Sequence, residues 1–70
     1  MKYAVVIEKS KDGGYWAYVP DLPGCASRGD TAEEVERNIR EAVEFHIESL
    51  RDHGEPVPPP TTAVTTVDAA

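Results

Sequence analysis

Asp12-Gly13-Gly14-Tyr15-Trp16-Ala17-Tyr18-Val19-Pro20-Asp21-Leu22-Pro23-Gly24 is the stretch on which the fold turns. Asp-Gly between two apolar runs signals a hairpin, because glycine accepts the positive φ that tight turns require. Tyr15 to Val19 then reads as a strand rich in aromatics, and it stops at Pro20, which has no backbone N–H to donate. Two prolines in the next five residues exclude a helix or a central strand, so Pro20 to Gly24 is a structured turn. Upstream, Lys2 to Lys9 is rich in β-branched residues and supplies the partner strand. Downstream, Cys25-Ala26-Ser27-Arg28 offers a short third strand, ended by Gly29.

A helix begins at Asp30 or Thr31. Thr31 with Glu34 three residues later forms a capping box, and Glu33, Glu34 and Glu36 suit the positive end of the helix dipole. Val35, Ile39, Ala42, Val43, His46, Ile47 and Leu50 recur at helical spacing and make one apolar stripe. Glu33–Arg37 and Glu36–Arg40 stand at i,i+4 on the charged side. Gly54 stops the helix, and Pro56 prevents its continuation. Glu55 to Pro60 reads as an extended, polyproline-like linker. Thr61 to Val67 has strand propensity with poor alternation, so residues 61–70 read as an edge strand or a flexible tail. The residues alone describe an α+β domain over 1–60, with a three- to four-stranded antiparallel sheet and one helix.

Side chains alternate across a strand. Tyr3, Val5 and Ile7 share one face of the hairpin with Tyr15, Ala17 and Val19; Ala4, Val6, Trp16 and Tyr18 share the other. One helix covers one face only. The second face is then a contiguous apolar patch with two aromatics, of a size that soluble monomers seldom leave bare. Ala4, Val6, Trp16 and Tyr18 are therefore the candidate oligomer or partner surface, and the expected state is a dimer or larger. The competing account is that the tail folds back over this face.

Composition narrows the classes further. Seventy residues make one small domain, of a size that often needs a disulfide, a metal or self-association. Cys25 is the only cysteine, which excludes an internal disulfide and fits a reducing compartment. No CxxC pair or His-rich tract offers a zinc site. No apolar run approaches the ~20 residues that span a bilayer, and the opening run is too short for a signal-peptide core. The chain is read as cytoplasmic. Its net charge of −6 leaves no basic patch for phosphates, so direct nucleic-acid binding is not expected.

A search for chemistry finds no convergent set. His46 lies in the apolar stripe, where a half-buried structural histidine is the ordinary reading. His53 sits at the helix end, where a cation suits the dipole. Cys25 reads as a small buried residue without a base beside it. Glu8, Asp12, Asp21 and Asp30 would have to converge for two-metal hydrolysis, yet each sits at a strand or turn end, where acids are common. Gly13-Gly14 leads into a strand and not a helix, so it is no phosphate loop. No catalytic, cofactor or metal residue is assigned, and no enzymatic activity is expected.

Asp12-Gly13-Gly14-Tyr15, then Pro20-Asp21-Leu22-Pro23-Gly24-Cys25, then Gly29-Asp30-Thr31 with Glu34 and Asn38, resemble the HicB-like antitoxin family. The resemblance runs from Met1 to about Pro60. It implies a β-β-β-α-β domain similar to a cut-down ribonuclease H fold, usually without that enzyme's catalytic carboxylates. It also implies a partner: a HicA-like toxin, a small basic ribonuclease that the antitoxin binds and blocks. Longer members carry a C-terminal DNA-binding segment, and Thr61 to Ala70 is too short for one, so the chain resembles a short stand-alone member. Two other functions stay open at this point. One is a self-assembling regulatory or ligand-binding domain without a toxin. The other is a residual metal-dependent nuclease using Glu8, Asp21 and Asp30.

Overall fold

The computed structural model describes all 70 residues. Three antiparallel strands, β1 (Val6–Lys9), β2 (Tyr15–Tyr18) and β3 (Ala26–Gly29), form a sheet in the order β1-β2-β3, followed by one helix, α1 (Ala32–Asp52). Val6 pairs with Tyr18 and Glu8 with Trp16 across the first hairpin; Trp16 pairs with Arg28 and Tyr18 with Ala26 across the second. Ser10 N donates to Gly14 O at 2.7 Å to close the first turn, with Gly13 at a φ of 100°.

The sheet is shorter than the sequence implies at one corner. β1 starts at Val6 and not Lys2. Continuing the register places Ala4 opposite Pro20, which has no N–H for the ladder, so pairing ends where β2 does. The Pro20–Gly24 turn is organised by Leu22 N to Val19 O at 3.1 Å and Cys25 N to Leu22 O at 3.0 Å. It drops Leu22, fully buried, into the core.

The helix is capped as its sequence demands at the N-terminus, with one variation. Glu34 N donates to Thr31 Oγ1 at 3.1 Å, while the Glu34 carboxylate accepts from Asp30 N at 3.0 Å, one residue ahead of the N-cap. At the other end His53 is the C-cap, its Nδ1 lies 2.7 Å from Ser49 O, and Gly54 takes a φ of 68° to break the helix. Of the two expected ion pairs, Glu36–Arg40 closes at 3.5 Å and Glu33–Arg37 does not.

The fourth strand does not form: residues 61–70 carry no strand or helix. Pro56, Pro58, Pro59 and Pro60 remove backbone donors on the approach, and the next two residues are taken by another bond set. Thr61 and Thr62 each donate an amide and a hydroxyl to the Asp21 carboxylate, at 2.8–3.0 Å. The Tyr3 hydroxyl donates to Pro58 O, so the segment is tied at two points.

Ala17, Val19, Leu22, Cys25, Val35 and Ile39 make the core, with Tyr3, Val5, Tyr15, Ala42, Val43 and Ile47 packed around it. Only these six residues of 70 are buried, a thin core even for a small domain. The helix lies over β3 and β2 and leaves β1 largely uncovered. Ile7 points toward the helix side yet stays 42% exposed.

Candidate protein-binding surfaces

The hairpin register assembles one side of the sheet from Val6, Glu8, Trp16, Tyr18, Ala26 and Arg28. α1 lies on the other side, against Ala17 and Val19. On the open side the Trp16 and Tyr18 rings stack with centroids 5.2 Å apart and planes 25° from parallel. Trp16 keeps 38% of its surface exposed. Three of the four residues expected to form a contact surface, Val6, Trp16 and Tyr18, are thus brought together by strand pairing. Ala4 lies before β1, half-buried and outside the paired strands.

Two further exposed regions were not legible in the apolar stripe. Between α1 and the edge of β1 runs a groove of about 710 Å³ bordered by Met1, Tyr3, Val5, Ile7, Ile39 and Val43. It exists because the helix crosses the far side of the sheet. On the other flank, between α1 and β3, a hollow of about 580 Å³ is walled by Phe45 and His46 from the helix and by Cys25, Ala26 and Ser27 from the sheet. Phe45 is 72% exposed, on the polar side of the helix. The available signal was an aromatic residue off the stripe, between Glu41 and Glu48 at i−4 and i+3.

The residues weighed for chemistry are placed as follows. Cys25 is buried, and desolvation pushes its thiol pKa up, which disfavours the thiolate a nucleophile needs. His46 is half-buried and lines the same hollow. The Thr62 amide does most to hold the Asp21 carboxyl below its ordinary value; desolvation opposes it, and the Thr62 hydroxyl and the two Thr61 donors add smaller lowering contributions. Both Asp21 oxygens are engaged by threonines. Asp12 and Asp30 border a shallow depression with Glu34, whose carboxylate already serves the helix start. No three His, Cys, Asp or Glu side chains stand close enough to hold a metal ion. No helix is long and apolar enough to cross a membrane.

Residues 3–70 match the family model described as the HicB-like antitoxin of bacterial toxin–antitoxin systems. A UPF0150 protein of Synechocystis is 55% identical over 56 residues, covering 80% of this chain and 71% of that one. A UPF0150 protein of Thermoplasma acidophilum is 46% identical over 69 residues, covering 99% of this chain and 100% of its own. Among solved structures, the N-terminal domain of the Burkholderia pseudomallei antitoxin HicB superposes with a TM-score of 0.79 at 29% identity, covering 99% of this chain and 100% of that domain. A chain from a HicA3 and HicB3 toxin–antitoxin complex superposes with a TM-score of 0.75 at 38% identity, covering 89% of this chain and 72% of that one. Strand order, capped helix, Pro20–Gly24 turn and these matches agree, and the chain belongs to the HicB-like antitoxin family.

Proposed function

We propose that this chain is the antitoxin half of a toxin–antitoxin pair and acts by binding, sequestering a small basic ribonuclease of the HicA type. The observation that carries this reading is its likeness, at 38% identity, to a chain solved in a HicA3 and HicB3 complex. The thin core and the partly exposed Trp16–Tyr18 face support a protein that completes its packing against other chains. That face is close to electrically balanced, with Glu8 on one side of Trp16 and Arg28 on the other, and such a patch suits pairing of two copies about a two-fold axis. The chain is then a homo-oligomer, dimer or larger, joined through Val6, Trp16 and Tyr18. A cytoplasmic setting agrees with the single unpaired cysteine.

The test pairs the purified chain with a small basic ribonuclease of the HicA type. The toxin alone cleaves RNA, and addition of this chain stops the cleavage in proportion to the complex formed. The chain by itself cleaves no RNA with or without magnesium or manganese. Metal-dependent cleavage by the chain alone, abolished by Asp21→Asn, would overturn the binding reading and promote the nuclease one.

A further inference from the structure

We propose that the outer face of α1, centred on Phe45, is where the basic toxin docks. This rests on the toxin-binding reading above. Charge is segregated in this chain. Residues 1–29 carry four basic and three acidic side chains, while residues 30–70 carry three basic and ten acidic ones. Most of the acidic surplus is on α1 itself, which carries seven acidic and three basic side chains and lies across the sheet from the Trp16–Tyr18 face. On α1, Glu41, Glu48 and Asp52 stand four before, three after and seven after Phe45, on one helical face. All four side chains are exposed.

An exposed phenylalanine ringed by carboxylates has a specific complement. A polypeptide that holds RNA presents lysines and arginines to phosphates. The carboxylates of Glu41 and Glu48 attract those cations, and the long stems of Lys and Arg lie along an aromatic ring while their charged ends reach the carboxylates. The hollow between Phe45 and β3 gives one such side chain a seat. Aromatic residues packed at the centre of an interface carry a disproportionate share of its affinity. A second copy of this chain is excluded as the occupant, because two such faces would set like charges against one another. The antitoxin thus uses two surfaces for two partners: the balanced sheet face for itself and the acidic helix face for the toxin.

The experiment is calorimetric titration of the 70-residue chain with a small basic ribonuclease of the HicA type, inactivated by substitution. It is run for wild type, Phe45→Ala, the double variant Glu41→Lys/Glu48→Lys, and Trp16→Glu, with circular dichroism checking each fold. Phe45→Ala is expected to weaken binding roughly tenfold or more. The double variant should weaken it and flatten its salt dependence, while Trp16→Glu lowers the assembly state and leaves affinity per protomer near wild type. Folded Phe45→Ala binding as tightly as wild type would overturn the docking face, and loss of binding in Trp16→Glu alone would move the toxin to the sheet. Both results leave the antitoxin reading standing. Failure of wild type to bind the toxin would bring down that reading and this face together.

Discussion

Gly29 lies so close to the backbone of Val35 that a β-carbon on it would sit 2.5 Å from the Val35 amide nitrogen and 2.9 Å from its Cα. The end of β3 and the first turn of α1 are therefore in direct backbone contact, which is what lets a fully buried Val35 reach the core. Gly29→Ala forces this junction apart, and overpacking of that kind costs about 1–3 kcal/mol. Urea denaturation is the measurement; a midpoint equal to wild type would mean that the helix shifts freely against the sheet.

Gly24 is needed for a different reason. A β-carbon there meets nothing within 4 Å, but its φ is 87°. Gly24→Val therefore costs backbone strain and no clash, at least ~1 kcal/mol. Gly24→Asn should recover part of that loss, since asparagine tolerates the left-handed region better than valine. Equal stability of the Val and Asn variants would remove the argument.

The Asp21 clasp gives a pH-dependent prediction. A carboxyl held below its ordinary value of 3.8 contributes fully above that value and loses its contribution as pH falls through the lowered one. The Thr61 and Thr62 amides should thus keep their protection relative to free-chain exchange at neutral pH and lose it only in acid below the ordinary range. Asp21→Ala should remove the protection of both amides at every pH while leaving the α1 amides protected. Midpoints above 3.8 would contradict the direction of the shift.

Much of this molecule was legible because local chemistry and tertiary structure agree. Asp12-Gly13-Gly14 makes the turn it signals, Thr31 caps the helix that its spacing marks, and alternation in β2 correctly divides Ala17 from Trp16. What was not legible depends on the placement of one element over another. The helix lies over β2 and β3, so Ile7 is left exposed despite sharing a face with the buried Ala17. The strand propensity of Thr61–Val67 loses to a carboxylate forty residues away, a contact that no local pattern encodes. Phe45 was passed over because a single aromatic on a charged face contributes nothing to helical periodicity.

The Trp16–Tyr18 pair should hold the assembly together. Trp16→Glu or Tyr18→Glu places a charge within a stacked aromatic patch and should shift a dimer or larger species toward monomer at micromolar concentration. Arg40→Glu, which removes only an exposed ion pair with Glu36, should leave the assembly unchanged, since such pairs contribute about 0.3–0.5 kcal/mol. Sedimentation velocity distinguishes these results. A wild type that sediments as a clean monomer would show that this face serves something other than self-association.

Binding to the toxin should weaken as salt rises without vanishing. Exposed carboxylates such as Glu41 and Glu48 draw a basic partner from a distance, and that attraction is screened over a Debye length of ~10 Å at 0.1 M salt. The association rate should therefore fall with ionic strength, while the dissociation rate changes little. The remaining affinity at high salt comes from apolar contact, which screening leaves intact, and Phe45 is the exposed apolar group placed to provide it. The two contributions are separable by surface kinetics. Charge reversal at Glu41 and Glu48 should lower the association rate and its salt slope, whereas Phe45→Ala should raise the dissociation rate at every salt concentration. An association rate independent of salt would mean that the acidic helix does not steer the encounter.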